Sequence, residues 1–142
     1  MLVIRKIKVE DATSIQLLSN QLGYPISEEE TRNQIISILN NQNDYAILAI
    51  NDNIVCAWLH GFIAIRLESL PFAEIGGLVV NEQYRNQGIA KNLIYEFTQW
   101  CESKNIHKIR VRCNVFRTET HLFYTKLGFV ENKSQKVLDL RI

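Results

Sequence analysis

The chain has 142 residues, of which 46% are hydrophobic and 22% are charged, and its net charge is +1 at pH 7. These values predict one globular domain over residues 1–142, and a charge so close to neutral argues against a nucleic-acid-binding protein. No apolar run reaches the roughly 20 residues that cross a bilayer, so no membrane partner is predicted.

The first residues and the cysteines predict a cytoplasmic protein. Residues 1–8 alternate like a strand and lack the long apolar centre and cleavage site of a signal peptide. Cys56, Cys101 and Cys113 are odd in number and lie inside predicted elements, which is typical of buried thiols in a reducing compartment. No spacing of His and Cys indicates a metal site, so no metal is predicted.

The N-terminal third predicts a strand over residues 2–9 followed by two helices. Asp11 is the expected N-cap of the first helix, which Gly23 ends. Ser27 and Glu30 have the spacing of a capping box for the second helix.

A β-hairpin follows, because the β-rich runs 45–50 and 54–65 flank the turn residues 51–53. His60 next to Trp58 would line a cleft, although a satisfied, partly buried histidine is the commoner case. Alternation divides the second strand into two faces: Val55, Ala57, Leu59 and Gly61 on one, and Cys56, Trp58, His60 and Phe62 on the other.

A strand, a polar turn and a helix start occupy residues 74–91. The small residues Gly88 and Ala90 lie between Arg85 and Lys91, where the helix begins. A helix start presents unpaired N–H groups and partial positive charge, so it suits a phosphate, although Gly88 could simply serve the turn.

Two glycines, Gly76 and Gly77, interrupt the strand before this turn. They suit a β-bulge that would open the sheet, or close packing of a helix over them. The sequence favours neither alternative.

The remaining elements predict a mixed α/β fold. A helix over 89–104 ends at Asn105, a strand spans 107–114, a helix spans 117–126 and a last strand spans 136–142. The order β-α-α-β-β-β-α-β-α-β implies a mixed sheet covered on both faces.

Two sequence blocks resemble the GNAT N-acetyltransferase superfamily. Arg85-Asn-Gln-Gly88-Ile-Ala90 matches its pattern Arg/Gln-x-x-Gly-x-Gly/Ala, with Ala where Gly is commoner. Residues 123–129, Phe-Tyr-Thr-Lys-Leu-Gly-Phe, resemble the end of its later helix. The resemblance covers nearly the whole chain and implies the GNAT acyl-CoA N-acyltransferase fold.

This resemblance implies acetyl-CoA as cosubstrate and an N-acetyltransferase that acts by direct attack of a primary amine. The loop amides would hold the pyrophosphate, and the strand before the loop would pair with the pantetheine arm. The cofactor-binding residues so implied are Leu78, Val79, Val80, Arg85, Asn86, Gln87, Gly88, Ile89, Ala90, Lys91, Arg117 and Tyr124.

Tyr124 and Glu74 are the implied catalytic residues. Tyr124 lies at the family's general-acid position, although a Tyr beside Phe123 is often a core residue. Glu74 resembles the base of the histone-acetyltransferase branch, and the alternative is a Glu that pairs with a neighbouring Arg. His60 or a water remains open as the base.

The last helix resembles a bacterial subgroup with Arg-x-x-x-His-x-Phe-Tyr, here Arg117 to Tyr124. Arg117 would contact the CoA phosphates or cap the helix, and His121 would be a packed or cofactor-side residue. Neither identifies the acceptor.

The acceptor is left open as a small-molecule or peptide amine, and the protein as a monomer or homodimer. Gln21, Tyr24 and Glu28–Glu30 are possible acceptor contacts or parts of a solvated helix hairpin, and with Glu74 these glutamates hint at a cationic acceptor. The alternatives from other classes are a non-catalytic acyl-CoA-binding regulatory module and an unrelated phosphate-ligand protein.

Overall fold

The computed structural model describes every residue from Met1 to Ile142, and these form two compact units, Met1–Val111 and Arg112–Ile142. The second unit contains one helix, α4 (Thr118–Lys126). The elements of the first unit are β1 (Leu2–Lys6), α1 (Ala12–Gln21), α2 (Glu28–Leu39), β2 (Asp44–Asn51), β3 (Ile54–Ala64), β4 (Phe72–Val80), α3 (Ile89–Ser103) and β5 (Ile109–Val111), with short 3-10 turns at Val9–Asp11 and Glu82–Tyr84.

The strands form one mixed sheet in the order β1-β2-β3-β4-β5. Strands β1 to β4 make an antiparallel meander, and β4 pairs with β5 in parallel. The helix α3 that precedes β5 is the crossover that a parallel pair requires. The predicted mixed α/β fold class is therefore confirmed.

Helices cover both faces of this sheet. Leu48 of β2 packs in one buried cluster with Ile15 of α1 and Ile35 of α2. Trp58 of β3 is the cross-strand partner of Leu48, so these two side chains lie on the same face of the sheet. Gly61 lies on the opposite face, against Phe97 of α3. The face that carries Leu48 and Trp58, called here the hairpin face, is thus covered by α1 and α2, and α3 covers the other.

The predicted helix ends agree with the structure to within one residue, but the expected capping bond of Asp11 is absent. Its carboxylate does not cap α1, because a 3-10 turn comes first, and it accepts instead from the Lys8 N–H at 2.7 Å. It also accepts two hydrogen bonds from Arg5, which hold the pKa of Asp11 below its usual value. The predicted capping box is confirmed, with Ser27 and Glu30 exchanging two 3.0 Å bonds.

The predicted hairpin is confirmed, and its turn places Asp52 and Asn53 at φ of 49° and 69°. The predicted division of the second strand, β3, into two faces is wrong at Val55. Ala49 pairs with Ala57 but Ile50 with Val55, so Cys56 is an extra residue in β3. This bulge moves Val55 to the hairpin face, where Val55 and Trp58 both pack against the buried cluster that contains Leu48.

Some predicted strands are shorter than expected or absent. The strand predicted over 2–9 ends at Lys6, and the one predicted over 107–114 spans only Ile109–Val111. The last predicted strand, 136–142, is wrong, because this segment forms no strand. Alternating apolar residues form a strand only when a neighbour satisfies the backbone hydrogen bonds.

Candidate active site

A β-bulge lies in the middle of β4. Gly77 pairs with His60 of β3, and Ile75 pairs with the next residue, Gly61, so Gly76 is unpaired. The bulge that the two glycines suggested is therefore present, and it falls on Gly76.

The bulge decides which way Glu74 faces. Without the extra residue, Glu74 would pair with Ile63 and lie on the face of Gly61, which α3 covers. With Gly76 inserted, Glu74 pairs with Phe62 and lies on the hairpin face, half-buried. Its parallel neighbour on β5 is Arg110. The bulge thus keeps this carboxylate off the face that α3 covers.

Side chains of β3, rather than a helix, pack over the two glycines. A Cβ built on Gly77 would lie 2.8 Å from the Trp58 ring, and one on Gly76 would lie 3.2 Å from Phe62. The alternative of a helix packed over this pair is therefore wrong. The glycine that does contact a helix is Gly61, under Phe97 of α3.

The carboxyl-terminal half of β4 has one open edge. Strand β5 pairs only with Ala73, Glu74 and Ile75, so residues 76–80 have no strand neighbour on that side. An unpaired edge can accept an extended ligand as an additional strand. Leu78, Val79 and Val80, the predicted pantetheine contacts, lie on this segment.

The predicted phosphate loop joins this edge to α3. Asn86 and Gly88 both have left-handed backbone conformations, with φ of 62° and 80°. Gly88 is the N-cap of α3, and a Cβ placed on it would meet no atom within 4 Å. The loop therefore leaves open space directly before the helix start.

The amides of this loop point to anion binding. No backbone or side-chain acceptor in the chain takes the N–H groups of residues 87–91, and the first bond of the helix runs from Asn92 N to Gly88 O at 3.1 Å. Successive free N–H groups at a helix start, with left-handed residues among them, form an anion-binding concavity. Arg85 and Lys91 are exposed beside it, and Arg85 Nε donates to Val80 O at 3.4 Å. The other residues of this stretch that were predicted to bind the cofactor are Gln87, Ile89 and Ala90.

A His–Asp pair lies next to the bulge. His60 Nε2 is 2.7 Å from Asp44 Oδ1, and both side chains are partly buried. His60 Nδ1 lies 3.6 Å from the position of a Cβ on Gly76, so its second nitrogen faces the bulge. A carboxylate on one ring nitrogen orients the imidazole and fixes its tautomer. Asp44 was not predicted, because its approach to His60 depends on the Cys56 bulge, which alternation does not reveal.

The second unit holds Tyr124 in an aromatic cluster. The ring is 8% exposed and packs edge-on against Phe123 and Phe129, with centroids 5.1 and 5.2 Å away. Burial, with a smaller contribution from Cys113, raises the pKa of Tyr124 to about 12. The hydroxyl is thus a protonated donor at neutral pH, which suits a general acid.

Two further residues of the last motif have defined positions in this unit. Arg117 is the N-cap residue of α4, but its side chain makes no capping bond. His121 Nε2 contacts Asn114 O at 2.8 Å, so it ties the helix to the preceding segment. This contact supports a packed rather than a cofactor-side role for His121.

The acidic residues of α2 have local partners. Glu28 accepts from Thr13 at 2.8 Å and from Arg32 at 3.2 Å. Glu30 is held in the capping box, where the Ser27 backbone N–H lowers its pKa. These contacts support the solvated-hairpin alternative and weaken the hint of a cationic acceptor.

Cys56 and Cys101 are buried as predicted, and Cys113 is half-buried. No three side chains of the metal-binding types are arranged to hold a metal ion. No helix combines the length and apolarity needed to cross a membrane.

Several solved structures have the same fold. An aminoglycoside antibiotic 6'-N-acetyltransferase from Acinetobacter baumannii superposes with a TM-score of 0.88 at 20% identity, covering 100% of this chain and 99% of the other. Glucosamine-6-phosphate N-acetyltransferase from Arabidopsis thaliana gives 0.85 at 19% identity, covering 99% of each chain. An aminoglycoside acetyltransferase bound to a CoA–acetylneamine bisubstrate analogue gives 0.89 at 19%, covering 100% and 99%.

No curated protein sequence matches this chain significantly. The model of the acetyltransferase (GNAT) family matches residues 10–129, which is most of the chain. The phosphate-loop and last-helix blocks fall within that range. The protein therefore belongs to the GNAT family of acetyltransferases, as these two blocks predicted.

Proposed function

We propose that the protein transfers the acetyl group of acetyl-CoA to a primary amine by direct attack in a ternary complex in the cytoplasm. The observation that carries this proposal is the row of unpaired amides at residues 87–91, which follows directly on the open edge of β4. A protein of the GNAT family with these two features side by side has the parts needed to bind an extended acyl thioester with a pyrophosphate.

The residues present fit acetyl-CoA. The free amides of the loop and the left-handed Gly88 suit the pyrophosphate, and Arg85 and Lys91 add charge. The backbone of residues 78–80 suits the amide groups of the pantetheine arm. When bound, the cosubstrate supplies an activated acetyl thioester. Arg117 is proposed as an additional phosphate contact.

Glu74 would act as the base. The Gly76 bulge puts its carboxylate on the hairpin face, where it would take a proton from the acceptor ammonium, directly or through a water. The neutral amine nitrogen then forms a bond to the thioester carbonyl carbon. An N–H of the open β4 edge would hold the carbonyl oxygen while its negative charge develops.

Tyr124 would act as the acid. As the C–S bond breaks, its hydroxyl gives a proton to the sulfur of the leaving thiolate and later regains one from solvent. Its pKa of about 12, raised by burial, keeps the proton on the oxygen until then.

His60 is the competing candidate for the base. Its Nε2 is held by Asp44 and its Nδ1 faces the bulge, an arrangement that resembles an oriented imidazole base. Glu74 keeps the role of base in this proposal, because the bulge at Gly76 is what places its carboxylate on the hairpin face. The two candidates make different predictions for substitution.

The test is release of free CoA thiol from acetyl-CoA across a panel of amines, for the wild type and Tyr124→Phe. We expect release with one class of amine and a fall in kcat of about 100-fold in the variant. A thermal shift with acetyl-CoA monitors binding separately. Stabilisation by acetyl-CoA without release from any small-molecule or peptide amine would favour a non-catalytic binding module.

A further inference from the structure

Three cations from two segments of the chain lie close to one buried aromatic ring, that of Phe72 at the start of β4. The Arg110 guanidinium lies 4.5 Å from the ring centroid. The Arg66 guanidinium and the Lys108 ammonium each lie 5.3 Å from it. We call Arg66, Lys108 and Arg110 the Phe72 cation cluster.

The three positive charges of this cluster exceed the single negative charge of Glu74, the carboxylate beside Arg110 in the sheet. None of the three forms an ion pair, although Glu68 lies in the same loop as Arg66. Because all three surround one ring, their charges lie within roughly 10 Å of each other and repel. Phe72 is 3% exposed, and its ring attracts each of the three cations, which offsets part of this repulsion. An anion placed among the three would remove this repulsion.

The cluster shares a surface with the proposed base. Phe72 and Glu74 are two residues apart on β4, and Arg110 is the parallel neighbour of Glu74 on β5. All three therefore lie on the hairpin face. The phosphate loop follows the other end of β4, a nine-residue strand about 25 to 30 Å long. A pyrophosphate held by that loop would therefore lie far from the cluster.

We infer that the Phe72 cation cluster binds an anionic group, a carboxylate or a phosphate, carried by the acceptor amine. The inference rests on the proposed function and names its substrate class as an amine that also bears an acid. Arg110 can form two parallel hydrogen bonds to such a group, and Arg66 and Lys108 add charge. The α2 glutamates do not oppose this assignment, since Glu28 and Glu30 are bonded to local partners.

The experiment compares amines that differ only in the acid. Glucosamine 6-phosphate against glucosamine tests a phosphate, and lysine against cadaverine tests a carboxylate. We expect kcat/KM at least about tenfold higher for the acidic member of one pair, which identifies the acid. Equal values in both pairs would overturn the inference.

Arg110→Met and the exposed-site variants Arg66→Gln and Lys108→Gln test the assignment to these residues. Each should raise KM for the preferred acidic amine more than for its neutral partner, with the largest change, about tenfold, in Arg110→Met. Lys8→Gln, which removes an exposed lysine elsewhere, is the matched control and should change neither. Parallel changes for acidic and neutral amines would contradict the assignment.

A binding measurement separates this inference from the proposed function. Inorganic phosphate and succinate are titrated into the full-length wild type and Arg110→Met by calorimetry, with saturating CoA present to occupy the loop. Weaker binding of either anion to the variant supports the cluster even if no amine is acetylated. Equal binding to both proteins would overturn it even if the enzyme is active.

Discussion

Alanine at Gly61, Gly77 and Gly76 should destabilise the protein in that order, because three different neighbours occupy the space a methyl group needs. At Gly61 the new Cβ would lie 2.2 and 2.3 Å from two ring carbons of Phe97 and 3.0 Å from Glu74 O. Phe97 is fully buried and stacks on Trp100, so the ring cannot move the more than about 1 Å required without disturbing the core. We expect a loss of about 3 kcal/mol.

The other two sites have neighbours that can yield. A Cβ on Gly77 would lie 2.8 Å from the far edge of the half-buried Trp58 ring, which we expect to cost about 1 to 2 kcal/mol. At Gly76 the nearest atom is 3.2 Å away on Phe62, also half-buried. There the cost should be below about 1 kcal/mol, since alanine also reduces the entropy of the unfolded chain.

Urea unfolding at equilibrium measures the three differences. With a slope of about 1 to 3 kcal/mol per molar, Gly61→Ala should lower the midpoint by about 1 to 2 M. The double variant Gly61→Ala/Phe97→Leu should be less destabilised than the sum of its single variants, because the smaller side chain makes room. Strictly additive effects, or a Gly76→Ala loss as large as that of Gly61→Ala, would refute the reasoning.

Three other predictions concern the loop, the buried thiol and the base. Gly88→Glu should abolish acetyl-CoA binding, because it places bulk and negative charge at the loop amides. Gly23→Glu is the control, since Gly23 also has a left-handed φ and open space around it, and it should leave binding unchanged. Calorimetry measures acetyl-CoA binding to both variants. Burial raises the pKa of the Cys101 thiol from 9.0 to about 12, so with rising pH this thiol ionises first in the unfolded chain. The free energy of unfolding should therefore fall by about 4 kcal/mol from this group between pH 9 and 12. In urea titrations, Cys101→Ala should flatten this dependence on pH. Glu74→Gln should lower kcat about 100-fold and His60→Gln less than tenfold at pH 7, and the reverse order would transfer the role of base to His60.

Local sequence signals predicted most of the fold. The capping box at Ser27 and Glu30, the turn at Asp52–Asn53 and the helix end at the left-handed Asn105 each depend on residues within one turn of chain, and all are confirmed. The free amides at the start of α3 were predictable for the same reason, because they follow from a helix that begins after a glycine.

Features that depend on partners were not predictable in the same way. The segment 136–142 has a strand pattern, but a pattern does not supply the neighbouring strand. The contact of Asp44 with His60 and the position of Val55 both follow from the extra residue Cys56, and nothing in its sequence neighbourhood marks it. The Phe72 cation cluster joins residue 66 to residues 108 and 110, and only the sheet brings these two parts of the chain together.

The Gly76 bulge connects the fold to the proposed chemistry more directly than any single side chain. One inserted residue reverses the facing of residues 72–75, and so puts Glu74, with Phe72, on the face of His60 rather than against α3. At the same point β5 stops pairing, which leaves the rest of β4 with an open edge that leads to the loop amides. The proposed base and the open edge thus lie along one strand, which leads to the proposed anion site in the following loop, and α3 lies on the face opposite to Glu74.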